Sequence, residues 1–173
     1  MAKKTVFLTG GTGNMGWAGF QELYKRKDRF DIRLLARDSK KNHKMLDRYA
    51  SDPAVSVIWG DLTRYEDVLA GVAGADYVLH VGGMVSPAAD YYPEKTLKVN
   101  VTAAENVVKA VRAQPHADEI RVVYIGSVAQ YGDRNPPYHW GDANEPQTPA
   151  KYDMYALSKI RSEEVFAKAG LKR

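Results

Sequence analysis

The chain has 173 residues, 45% hydrophobic and 27% charged, with a net charge of +4 and no cysteine. That balance fits one globular domain and excludes fibrous, low-complexity and disordered classes. Without cysteine there is no disulfide, thiolate metal site or cysteine nucleophile, which fits an intracellular protein, and the cytoplasm is the expected compartment. The four histidines, His43, His80, His116 and His139, show no ligand spacing, so no metal site is expected. The opening MAKKTVFLTGG has too short an apolar run for a signal peptide or a membrane span. Lysine and arginine concentrate between residues 25 and 48, but they alternate with acidic residues and lack interleaved aromatics, so nucleic acid is not an expected partner.

Apolar runs and helical patterns alternate along the whole chain. TVFLTG (5–10) reads as a buried strand, with a helix following through about residue 27. A strand over 31–37, a helix over 39–50, a strand over 55–61, a helix over 64–72 and a strand over 75–82 come next. A longer helix spans roughly 94–113, with Leu97, Val101, Ala104, Val107, Val108 and Val111 at helical spacing and Pro93 at its start. EIRVVYIGS (119–127) is a fifth strand. The Pro-, Gly-, Asp- and Asn-rich stretch from 130 to 153 reads as an irregular surface loop, and a last helix over about 152–169 is stopped by Gly170. Strict alternation predicts an α/β fold: an open, doubly wound parallel sheet of about five strands with helices on both faces.

TGGTGNMG (9–16) falls where the first strand hands over to the first helix. Glycines at 10, 13 and 16 permit a sharp turn, close approach of backbone N–H groups to a ligand, and tight helix-on-strand packing. The helix start then suits a pyrophosphate, and no Gly-Lys-Ser/Thr follows to suggest a nucleoside triphosphate site. A plain strand-to-helix turn would also carry glycine. At the tip of the second strand, Arg37 with Asp38 behind it and Lys40, Lys41 and Lys44 beyond points to a 2′-phosphate, hence NADP. A solvated basic helix start is the alternative, and Asp38 can still reach a ribose, which keeps NAD open.

Tyr155 and Lys159 are four apart in YALSK, so on a helix they share a face and the ammonium favours the phenolate. With 11 tyrosines, such a pair is expected by chance, and Tyr91 with Lys95 is one, separated by Pro93. Position distinguishes the first pair: Ser127 lies just past the fifth strand, on the carboxyl edge where the glycine turn also lies. A serine there can hydrogen-bond a substrate oxygen; an ordinary turn serine is the other reading.

Taken together, TGGTGNMG, GDL (60–62), HVGG (80–83), VNVTAAENV (99–107), GSVAQYG (126–132) and YALSK resemble the extended branch of the short-chain dehydrogenase/reductase superfamily, the NAD(P)-dependent epimerase/dehydratase family. The resemblance covers nearly the whole chain. It implies a Rossmann-type fold with Gly10, Gly13 and Gly16 at the phosphates and backbone contacts from Asn14 and Met15. It further implies Asp61 and Leu62 against the adenine, and Gly82 and Gly83 near the nicotinamide ribose. Ser127, Tyr155 and Lys159 would be the catalytic triad, with Lys159 also on the ribose and Asn100 supporting a water and proton relay. HVGG and Gly126 depart from the usual pattern without removing a catalytic group. Members of the family commonly continue into a sixth strand and a small substrate domain, so residues 1–173 are expected to form one NAD(P)-binding domain lacking that part. Two functions stay in view. One is an oxidoreductase or epimerase acting on a sugar nucleotide or a small ketone or alcohol; the other is a non-catalytic NADP(H)-binding module or subunit. Exposed apolar surface near the fifth strand, and a homodimer through helices 94–113 and 152–169, are further expectations.

Overall fold

The computed structural model describes residues 2–133, 141–142 and 144–172. Five strands, β1 (Lys4–Thr9), β2 (Phe30–Ala36), β3 (Val55–Trp59), β4 (Tyr77–His80) and β5 (Arg121–Tyr124), pair in the order β3-β2-β1-β4-β5, every pairing parallel. The order reverses between β1 and β4, which opens a crevice at the carboxyl edge of those two strands.

The helices are α1 (Asn14–Tyr24), α2 (Lys40–Leu46), α3 (Tyr65–Val72), α4 (Ala88–Tyr91), α5 (Pro93–Arg112) and α6 (Met154–Ala169). Alternation along each strand feeds two cores. Phe7, Leu35 and Val78 face α3, α5 and α6, with Val68, Val72, Val107 and Val111 packed against them. Leu8, Leu34 and Ile32 face the other side, against Phe20 and Leu46 from α1 and α2. There Phe20, Tyr24 and Tyr49 meet in edge-on contacts with ring centroids 4.9 Å apart for Phe20–Tyr49 and Tyr24–Tyr49.

The strands are shorter than their apolar runs suggest. Residues 60–62, 81–83 and 125–127 leave the ladder to form the carboxyl-edge turns. The last helix begins at Met154 because the Asp153 side chain accepts from Ala156 N–H at 2.8 Å, and Gly170 ends it in the left-handed conformation at φ 61°. Pro93 at the first turn of α5 separates it from α4, so Tyr91 and Lys95 lie on different helices. Of the long stretch after β5, a one-turn 3-10 helix covers Val128–Tyr131; residues 134–140 and 143, inside the expected loop, lie outside the described residues. β5 is an edge strand with Val123 45% exposed, beside a groove of about 650 Å³ that Phe166 and Leu171 also line. No helix among the described residues is long and apolar enough to cross a membrane.

Candidate functional site

The glycine turn is built against the end of β4. Gly10 sits at φ 71°, a conformation that favours glycine, and a Cβ there would lie 2.7 Å from both Gly82 Cα and Gly82 N. A Cβ on Gly16 would lie 2.1 Å from Gly10 O, so glycine at 16 lets α1 rest on the strand. Gly13 differs: a Cβ there would meet only Gly10 O, at 3.4 Å, and its backbone is extended. The protein itself gives no steric reason for glycine at 13. A ligand approaching the backbone here, as a pyrophosphate would, supplies one. Asn14 and Met15 open α1, both exposed, and the helix has neither a side-chain cap nor an acidic residue in its first turn. These residues fit a dinucleotide's phosphates.

Two buried residues that sequence reading passed over hold this crossing. Thr9 Oγ1 accepts from Gly82 N–H at 3.0 Å and shares a hydrogen bond with His80 Nδ1 at 2.9 Å, tying β1 to β4 at the crevice floor. His80 is fully enclosed; burial, reinforced by the Lys159 charge, lowers its pKa to about 3, so the ring is neutral. A single threonine ending an apolar run carries no pattern, so only the pairing of β1 with β4 reveals its role.

Leu62 also reaches this point, its Cδ1 2.7 Å from where a Gly82 Cβ would be, and Asn106 Nδ2 fixes the Leu62 carbonyl at 2.9 Å. Asp61 is beside it. Burial pushes the Asp61 carboxyl up, but hydrogen bonds from Thr63 N–H (2.8 Å) and Thr63 Oγ1 (2.7 Å), with the charges of Arg37 and Arg64, hold it below the usual carboxylate value. Arg37 is exposed at the β2 tip and makes no side-chain hydrogen bond or ion pair with the described residues. Lys44 is exposed on α2.

A second set runs from Gly83 to α6. Asn100, 4% exposed, accepts from Met84 N–H at 2.7 Å and donates to Met84 O at 3.0 Å and to Ser158 Oγ at 2.8 Å. Both amide hydrogens are thereby committed to protein groups, and the residue fastens the loop after β4 to the helix that carries Tyr155 and Lys159. A Gly83 Cβ would lie 2.9 Å from Asn100 Oδ1. Ser158 Oγ in turn donates to Tyr155 O at 2.7 Å.

Lys159 is 7% exposed, and its Nζ donates to Ile125 O at 2.6 Å, 5.9 Å from the Tyr155 ring centroid and 4.9 Å from that of Tyr124. Burial lowers its pKa from 10.5 to about 8. Ser127 lies two residues beyond Ile125 and caps the 3-10 turn, its Oγ accepting from Ala129 N–H at 3.3 Å. No hydrogen bond joins Ser127 to Tyr155 or Lys159 among the described residues. Gln130, 2% exposed, accepts from Ser127 N–H at 2.6 Å and donates to Glu163, whose carboxylate also receives Gln147 Nε2 at 3.0 Å. Among the described residues no cluster of three or more His, Cys, Asp or Glu could hold a metal ion.

The sequence model described as the NAD dependent epimerase/dehydratase family matches residues 6–171. The UDP-glucose 4-epimerase of Rickettsia bellii (strain RML369-C) is 35% identical over 112 residues, 62% of this chain and 32% of the relative. That of Rickettsia akari (strain Hartford) is 36% identical over the same length. The matched stretch therefore spans about a third of these curated relatives. Among solved structures, the UDP-Glc/GlcNAc 4-epimerase from Campylobacter jejuni superposes with a TM-score of 0.80 at 21% identity, over 96% of this chain and 49% of that one. The Bordetella bronchiseptica enzyme WbmH, solved in complex with NAD+, gives 0.78 at 23% identity, over 98% and 54%. With the family model covering nearly all of the sequence, the chain belongs to the NAD dependent epimerase/dehydratase family.

Proposed function

We propose that the chain binds a nicotinamide dinucleotide, NADP(H) in preference to NAD(H), and carries the proton-transfer groups of an NAD(P)-dependent oxidoreductase or epimerase. The observation that carries the reading is the glycine turn, packed on Gly82 at 10 and on the backbone of Gly10 at 16 but open at 13, where α1 begins without a side-chain cap. Gly10, Gly13, Gly16, Asn14 and Met15 hold the pyrophosphate, Asp61 and Leu62 meet the adenine, and Gly82 and Gly83 border the nicotinamide ribose. Arg37, which makes no side-chain hydrogen bond or ion pair with the described residues, takes the 2′-phosphate together with Lys44.

When bound, the nicotinamide supplies the hydride donor or acceptor. Tyr155 exchanges a proton with the substrate oxygen, and Lys159, its pKa lowered by burial to about 8, holds the ribose. Ser127 hydrogen-bonds the same substrate oxygen. Its Oγ accepts from Ala129 N–H, which leaves the hydroxyl hydrogen for that bond. Asn100 supports the site by fastening Met84 to Ser158. The names of the curated relatives favour a sugar nucleotide as substrate over a small ketone or alcohol. A homodimer through α5 and α6 belongs to the same reading; their outer faces share a groove lined by Leu97, Val101 and Met154.

Calorimetric titration of the chain tests the cofactor assignment. NADP+ is expected to bind more tightly than NAD+, and Arg37→Ala to reduce that preference on the order of tenfold through loss of a charge-assisted bidentate contact. Equal affinities, or NAD+ binding more tightly, would overturn it.

A further inference from the structure

The turn after β2 has an arrangement that the Arg37 reading does not use. Asn42, 7% exposed, donates from Nδ2 to Arg37 O at 2.7 Å, and Ser39 Oγ accepts from Asn42 N–H at 3.2 Å. The backbone on both sides of Asp38 is therefore fixed to the start of α2. The Asp38 side chain is drawn to the same helix: His43 Nε2 donates to Asp38 Oδ1 at 2.9 Å. His43 does not hang free. Its ring stacks on Trp59 at the end of β3, with centroids 3.8 Å apart and planes inclined by 22°, and its Nδ1 lies 3.8 Å from Asp47 Oδ1.

We propose that His43 is a positioning residue for cofactor choice, one that holds the Asp38 carboxylate against α2 and so leaves the β2 tip to Arg37. An acidic side chain at this tip accepts from ribose hydroxyls and repels a 2′-phosphate. Asp38 has the chemistry for that role and stands next to the arginine that has the opposite one. The Trp59–His43–Asp38 contacts decide between them by taking one oxygen of the carboxylate out of the ribose position and partnering it. Selectivity at this edge is then a property of four residues on three elements, Arg37 and Asp38 beyond β2, His43 on α2 and Trp59 on β3. The proposal rests on the dinucleotide reading above.

The test is a double-substitution cycle read by calorimetric affinity for NADP+ and for NAD+, on the chain itself and on His43→Phe, Asp38→Asn and both together. Phenylalanine keeps a flat ring on Trp59 and removes the nitrogen. The expected result is that His43→Phe lowers the NADP+/NAD+ preference about fivefold to tenfold, the effect of one carboxylate freed within a few ångströms of a phosphate. In the Asp38→Asn background the same step is expected to change nothing, which a general loosening of the turn would not reproduce. His43→Gln, whose Nε2 can still donate to Asp38, is expected to keep the preference, and serves if the phenylalanine variant fails to fold. An unchanged preference in His43→Phe, or the same change with and without Asp38, overturns the role of His43. The two readings fail separately: the unsubstituted chain's preference judges the Arg37 assignment, and the shift on substitution judges His43. Binding of neither dinucleotide removes both.

Discussion

Gly13→Ala and Gly16→Ala, two small changes three residues apart, are expected to have opposite consequences. At 16 the new methyl would sit 2.1 Å from Gly10 O and 2.6 Å from Gly10 C, both backbone atoms that cannot rotate aside. Helix α1 must lift from β1, disturbing the core around Phe20, at an expected loss of about 3 kcal/mol. For a chain of this size that is a fall in Tm of about 10 °C. At 13 the methyl meets only one protein atom at ordinary contact distance, and the extended backbone suits alanine. Loss of a glycine helix cap makes the expected destabilisation under about 1 kcal/mol. Affinity for the dinucleotide should nevertheless fall by about tenfold or more, because the methyl occupies the ligand's place. Thermal unfolding and cofactor titration on the same two variants separate the effects. A Gly13→Ala chain that binds normally would remove the phosphates from this turn.

Lys159→Met is expected to make the chain more stable at pH 7 and less able to hold the cofactor. The lysine is buried with Ile125 O at 2.6 Å as its hydrogen-bond partner, and burial lowers its pKa from 10.5 to about 8. Below pH 8 both the folded and the unfolded chain carry the proton, and the folded chain holds a desolvated charge. Between about pH 8 and 10.5 the unfolded chain binds more protons, so stability rises with pH across that window and the handicap disappears above it. A shift of this size corresponds to about 1–3 kcal/mol once the lost hydrogen bond is subtracted. Other groups titrate in the same range, so the quantity to measure is the stability difference between Lys159→Met and the unsubstituted chain. That difference should favour methionine at pH 7 and close by pH 10.5. A lysine chain that is the more stable at pH 7, with a gap independent of pH, would show that the ammonium is not held at a cost. A site residue that destabilises the fold carrying it is what a functional constraint predicts.

The parallel sheet, the order of its elements and the glycine turn were legible in the sequence because each rests on a local signal. Alternation of TVFLTG, DIRLLAR and VSVIWGD with helical patterns specifies crossover connections, and parallel strands then follow from their length. Edges of elements were less legible. The strand over 75–82 shrank to Tyr77–His80 because residues after His80 must turn to meet Gly10, a contact between segments seventy residues apart. The last helix starts at Met154, two residues later than its sequence pattern suggests, because the Asp153 side chain caps it.

Side-chain roles divide the same way. Tyr155 and Lys159 are distinguished from the chance pair Tyr91 and Lys95 by their place after Ser127, not by spacing, and Lys159 Nζ lies 5.9 Å from the Tyr155 ring centroid. The Thr9–His80 contact is not legible in the sequence, because it spans two strands whose pairing no local pattern encodes. Asn100 was found through resemblance, with a role in a water relay. In the structure its amide hydrogens go to Met84 and Ser158, a long-range arrangement that only the packing of α5 on α6 produces. Gln130 was likewise passed over; its partners Ser127 and Glu163 lie on separate elements.

The central claim is that one dinucleotide spans the carboxyl edge from Arg37, past the glycine turn, to the helix of Tyr155 and Lys159. The most direct measurement is an amide NMR titration of the chain with NADP+. Saturable shifts are predicted at Arg37, at Gly13 to Gly16, at Gly82 and Gly83, and at Tyr155 and Lys159, all fitting a single dissociation constant. Shifts confined to one end of that path, or found only at distant residues such as the groove between β5 and α6, would contradict it.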